Sequence, residues 1–156
     1  MTKWLTSEQQ LEWRAFLSVL SLLPDQFSRD LQDKHGLTMS DYEILVRLSE
    51  AEGRSMRMSE LAEKTLSSRS RLTHQIDRMV EAGYVTRRVC SVDKRGYFAE
   101  MTDAGWDKLV AAAPSHVESV RERLVDVLSC EEFQALGAIS KKILNSLDET
   151  AQSKAL

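Results

Sequence analysis

The chain is poor in the residues that mark the specialised classes of protein. Its two cysteines, Cys90 and Cys130, are too few and too far apart for a disulfide framework or a zinc cluster. No apolar run approaches the ~18–20 residues that cross a bilayer. The first residues, MTKWLTSEQQ, lack the apolar stretch of a signal peptide, so no membrane association and a cytoplasmic location are expected. The six glycines (36, 53, 83, 96, 105 and 137) never cluster into a phosphate-binding loop. No nucleophile–base pair stands out either, so catalysis and a cofactor are not expected. His35, His74 and His116 show no metal-ligand spacing. There is no internal repeat, low-complexity tract or flexible linker.

What remains fits one ordinary globular domain, 1–156, with 42% hydrophobic and 29% charged residues. The net charge of −3 conceals an asymmetry. Between Arg69 and Arg95 lie seven Lys or Arg (Arg69, Arg71, Arg78, Arg87, Arg88, Lys94, Arg95) against three acids (Asp77, Glu81, Asp93). That segment carries +4, which leaves −7 on the rest, and such a local cationic footprint suits an anionic partner.

Apolar spacing predicts a long first helix from about Ser7 to Lys34, kinked or split at Pro24 and closed by Gly36. A second helix starts at Ser40, with Glu43 completing a capping box, and stops near Gly53. Ser59 caps a short third helix. After the turn Leu66-Ser67-Ser68, Ser68 caps a fourth that runs to about Ala82. On the fourth, Leu72, Ile76, Met79 and Val80 form the core side, while Ser70, Arg71, His74, Asp77, Arg78 and Glu81 face water. The period then changes to two. Val85 to Cys90 and Tyr97 to Met101 read as an antiparallel hairpin around the tip Asp93-Lys94-Arg95-Gly96. Thr102 or Asp103 opens a fifth helix, carrying apolar residues to Val127 and bent at Pro114. Ser129, with Glu132 three residues on, caps a sixth. The fold class expected is mainly α (α+β).

Helix, short turn, helix and hairpin is the order of a winged helix-turn-helix, and the first residues of such a recognition helix reach base edges in the major groove. The residues so placed are Ser67, Ser68, Arg69, Ser70, Arg71, Thr73 and His74, with Arg71 the best placed for a bidentate contact to guanine. The segment from Met58 to Gly105 resembles the DNA-binding core of the multiple-antibiotic-resistance regulator (MarR) family. The residues that carry the likeness are Ser59-Glu60-Leu61-Ala62, Leu72 to Met79, Gly83-Tyr84-Val85-Thr86-Arg87, Asp93-Lys94-Arg95-Gly96 and Met101-Thr102-Asp103-Ala104-Gly105. Met101 stands where the family usually has Leu.

The resemblance implies a homodimeric, sequence-specific regulator of transcription, most simply a repressor, on a pseudo-palindromic operator. Its winged lobe would span 54–105 and its dimerisation helices 1–35 and 106–150. The terminal apolar stripes agree, since a small lobe cannot cover them. Arg95 matches the family's minor-groove arginine, and Arg78, Arg87, Arg88 and Lys94 are expected at phosphates. Asp77 and Asp93 are expected as braces of the wing. The resemblance also implies a small aromatic or anionic effector at the junction of lobe and dimerisation helices, where Trp13, Phe16, His35, Tyr42, Arg47 and His116 are the candidates. Two other readings account for less: a winged-helix protein-interaction module without DNA binding, and a thiol-based redox-responsive regulator using Cys90, which has Arg88 near it in sequence.

Overall fold

In the computed structural model, which describes residues 1–91 and 96–147, the chain enters its first helix through a reciprocal cap. The Thr6 hydroxyl accepts from the Gln9 N–H at 3.2 Å, and the Gln9 side chain accepts from the Thr6 N–H at 3.0 Å. This satisfies two amides that the first turn would otherwise leave unpaired. Helix α1 (Ser7–His35) is a single element with Pro24 inside it, so the proline does not split it. Gly36, at φ 63°, closes it in the left-handed conformation.

Helix α2 (Met39–Glu50) starts two residues earlier than expected. Thr38, not Ser40, is its cap, paired reciprocally with Asp41. A 3₁₀ turn (Glu52–Arg54) then leads into a three-residue strand β1 (Ser55–Arg57), which periodicity does not reveal. Arg57, not Ser59, precedes α3 (Met58–Lys64) as its cap residue, with no side-chain capping bond. Helix α4 (Arg69–Glu81) is capped by Ser68 as expected. Strands β2 (Val85–Val89) and β3 (Tyr97–Met101) form the hairpin, and β3 lies between β1 and β2 in an antiparallel sheet. Thr102 caps α5 (Asp103–Val120), which contains Pro114 and ends in a π turn (Arg121–Val125) rather than running on to Val127. Helix α6 (Cys130–Leu147) follows the Ser129–Glu132 capping box.

One core joins α2 to the elements of the lobe. Leu45 and Leu48 of α2, Leu61 of α3, Leu72 and Ile76 of α4, Val85 of β2 and Ala99 of β3 are all essentially inaccessible to water. Each large member contributes roughly 1.5–3 kcal/mol relative to an exposed position. On α4 the buried arc is Leu72, Gln75, Ile76 and Met79. Val80, assigned to the core by spacing, is exposed, and Gln75 is buried in its stead.

Two sets of contacts anchor α5, one to the lobe and one to α1. The Thr102 N–H donates to the Tyr84 carbonyl at 3.0 Å, and the Thr102 hydroxyl donates to the Gly83 carbonyl at 2.6 Å. Gly105 then packs so closely that a Cβ there would lie 2.2 Å from the Tyr84 carbonyl oxygen. Further along, the buried Ser119 hydroxyl donates to Asp30 at 2.6 Å and accepts from Arg123 at 2.6 Å. Arg123 also pairs with Asp30 at 2.7 Å. That triangle ties α5 and its π turn to α1, and the Ser119 bond holds the Asp30 carboxyl below its ordinary pKa.

Candidate nucleic-acid interface

The turn before α4 is set by local bonds. Ser67 donates to the Thr65 carbonyl, and the Ser68 hydroxyl accepts from the Arg71 N–H at 3.2 Å and lies 3.3 Å from the Ser70 hydroxyl. These short side chains leave the first turn of α4 open to solvent. Arg69, Ser70, Arg71, Thr73 and His74 are all exposed, and Thr73 folds its hydroxyl back onto the Arg69 carbonyl at 2.8 Å. Among the described residues, the side chains of Arg69, Arg71 and His74 make no hydrogen bond or ion pair. A helix N-terminus that projects uncompensated cations into water is suited to an anionic groove.

The other expected contacts are differently placed. Arg78 faces back across the lobe to Asp41 at 3.9 Å, beside the Gln75 amide, which reaches the same carboxylate at 3.4 Å. Arg87 pairs with Asp77 at 2.6 Å and donates to the Thr73 carbonyl at 3.2 Å. The Asp77 carboxylate thus links α4 to β2. Arg88 lies on the opposite face of the sheet, 2.5 Å from Glu100 and 4.7 Å above the Phe98 ring. Lys94, Arg95 and Asp93 lie outside the described residues.

Arg57 is a further cation, absent from the contacts expected on sequence grounds. Strand register aligns it with Phe98 and, across β3, with Arg88. Its guanidinium stands 5.6 Å from the Phe98 ring and donates to the Cys90 sulfur at 3.3 Å. Arg57 also lines a cleft of about 450 Å³ with Arg69, Arg87, Ser59, Thr73 and Tyr97. It lies beyond the basic segment and on a strand that periodicity does not show, so only the sheet pairing points to it. Cys90 has the cationic neighbour that a reactive thiol needs, but it is buried rather than exposed.

The effector candidates fall into separate groups. Tyr42 and His116 come together, with ring centroids 4.5 Å apart, and Phe27 meets His116 edge-on at 5.8 Å. Burial pushes the His116 imidazole below its ordinary pKa and the Tyr42 phenol above its own. Among the described residues, His116 Nδ1 is buried without a hydrogen-bond partner. His35 bonds the adjacent Ser115 hydroxyl at 2.6 Å. Trp13 and Phe16 pair with each other at 6.2 Å on the exposed half of α1, and Arg47 pairs with Glu43 at 4.0 Å. Among the described residues no three His, Cys, Asp or Glu side chains gather as a metal would require, and no helix is long and apolar enough to cross a membrane.

A model of the MarR family matches residues 35–96. AbsC, a MarR family transcriptional regulator from Streptomyces coelicolor, is 49% identical, over 94% of this chain and 98% of that one, with a TM-score of 0.89. Sco3205, a MarR family transcriptional regulator from the same organism solved in complex with DNA, is 40% identical over 94% and 92%, with a TM-score of 0.92. The transcriptional regulator PecS of Dickeya dadantii is 26% identical over 134 residues, 83% of this chain and 81% of its own. Likeness at this identity runs through the lobe and the long helices alike, and the chain belongs to the MarR family of transcriptional regulators.

Proposed function

We propose that the protein is a homodimeric repressor that binds a pseudo-palindromic operator in double-stranded DNA and is released by a small aromatic or anionic effector. The observation that carries this reading is the first turn of α4, where Arg69, Arg71 and His74 stand exposed and unpaired among the described residues. The DNA complex of the relative Sco3205 supports the same use of the lobe. Residues 54–105 form the DNA-binding unit in this reading, with Arg71 at a base edge and Ser67, Ser68, Ser70 and Thr73 close to the backbone. Arg95 enters the minor groove, Lys94 contacts phosphate beside it, and Asp93 braces the tip.

The dimer rests on apolar surface. Helix α6 buries none of its residues within the chain, and Phe133, Leu136, Ile139 and Ile143 stand exposed along it. On α1, Val19, Leu22 and Leu23 line a groove of about 650 Å³ with Leu124, Val127 and Leu128. Residues 1–35 and 106–150 of two subunits would cover these faces, since a monomer rarely leaves so much apolar surface in water. Recognition helices related by the twofold would read half-sites about 10 bp apart, centre to centre. The effector is assigned to the Tyr42–His116 ring pair, where the buried Nδ1 offers a polar handle.

A gel shift against the promoter DNA beside the protein's own gene, over a salt series, tests the core of the reading. Affinity should fall steeply and log-linearly with salt. Binding that ignores salt, or none to any fragment selected from genomic DNA, would overturn it. Titration calorimetry with salicylate-like acids tests the effector, and the absence of saturable binding removes that part alone.

A further inference from the structure

A protein that lays a helix in the major groove and a hairpin in the adjacent minor groove must straddle the phosphate strand between them. In this lobe the room for that strand is the cleft between the first turns of α4 and the root of the wing, lined by Arg57, Arg69, Thr73, Arg87 and Tyr97. Its cations are not equivalent. Arg87 is paired to Asp77, and across the lobe Arg78 and Arg88 are paired to Asp41 and Glu100. Each must give up a carboxylate before it can neutralise a phosphate.

Arg57 and Arg69 have no carboxylate partner among the described residues. Arg57 is in addition held in place, for its guanidinium packs on the Phe98 ring and donates to the Cys90 sulfur at the wing root without cancelling its charge. Preorganisation of this kind saves the ordering cost of a long side chain at the moment of binding.

We propose that Arg57 and Arg69, which both line the cleft, clasp the backbone phosphate that lies between the major-groove and minor-groove contacts. The clasp rests on the operator-binding reading above and adds a residue to it. Arg57 thereby becomes a phosphate-neutralising group of the interface, whereas Arg78 and Arg88 are held to the lobe.

The test is the salt dependence of binding to a short mixed-sequence duplex, which needs no knowledge of the operator. Removing the neutralisation of one phosphate lowers the log–log salt slope by ~0.9, about fivefold in affinity at ~0.15 M salt. Arg57→Gln should show that reduction once per subunit, and Arg57→Lys should restore the slope. Lys141→Gln on α6, the same charge change far from the lobe, should leave it alone. Wild-type protein that binds normally while Arg57→Gln keeps the full slope overturns the clasp. Wild-type protein without salt-dependent binding overturns the DNA-binding reading instead. Should Arg57→Gln fail to fold, the Arg57 Nε–Hε resonance of the wild-type protein is followed as duplex is added, and an unmoved signal also overturns the clasp.

Discussion

Arg87 Nη1 lies 2.6 Å from Asp77 Oδ1, so one ion pair joins the wing strand β2 to the helix α4 that presents Arg69 and Arg71. Both side chains are partly exposed, and a pair of this kind contributes less than about 1 kcal/mol to stability. Its larger effect concerns geometry and charge. Asp77→Ala frees Arg87 and removes a negative charge beside the proposed DNA contacts. Non-specific duplex binding should tighten at low salt while the ratio of operator to non-specific affinity falls. Competition gel shifts measure both, and an unchanged ratio would remove the bracing role.

Arg71 is a different case, because nothing in the described protein holds it. Arg71→Ala should cost about 1–3 kcal/mol in operator affinity and relax base preference at one position in each half-site. Affinity measured on operators varied base by base checks this. A uniform loss on every sequence would make Arg71 a phosphate contact.

Gly105 sits where α5 passes the carbonyl of Tyr84. A Cβ there would lie 2.2 Å from that oxygen and 2.9 Å from the Met101 Cγ. Backbone cannot yield as a side-chain tip can, so Gly105→Ala should destabilise the protein by about 1–3 kcal/mol. The midpoint of urea unfolding should drop with its slope unchanged, and an unaltered midpoint contradicts the packing argument.

Burial holds the His116 imidazole below its ordinary pKa of 6.5. The unfolded chain therefore takes up a proton near pH 6.5 that the folded chain still refuses. The associated stability is complete above that pH and is lost as the pH falls through it toward the lower folded value. Melting temperatures at about pH 7.5 and about pH 5.5 should differ more for the wild type than for His116→Phe. Glu43, whose carboxyl pKa is raised by burial, works in the opposite direction but is common to both proteins. Equal differences would show that His116 does not titrate in this window.

These residues also show what a single sequence carries. Ser68 and Ser129 are legible as caps because the signal and its reply lie within one turn, whereas Thr102 is only one of two starts that the sequence offers for α5. The start of α2 is not, since Thr38–Asp41 and Ser40–Glu43 are equivalent patterns two residues apart. Burial of Tyr42, Ile44 and Leu45 belongs with the earlier start. Strand β1 escapes notice because three residues show no period, and its partner β3 lies far along the chain. The exposed face of α4 follows from its helical spacing, yet the pairing of Arg78, Arg87 and Arg88 depends on acids brought in from α2, α4 and β3. Position along the chain thus identifies the cations of the basic segment, but only folding separates the compensated ones from Arg69 and Arg71 and adds Arg57 to them.

The joint at Thr102 and Gly105 has a mechanical meaning. With the Thr102 N–H and hydroxyl fastened to Tyr84 and Gly83, and no space for even a methyl group beside Gly105, the corner is too stiff to act as a hinge. The lobe is then the short arm of a lever whose long arm is α5, ~27 Å of helix at 1.5 Å per residue. A slight tilt of α5 about its Asp30–Ser119 anchorage must swing the whole reading head, so displacement, rather than deformation of the lobe, is the motion left to it.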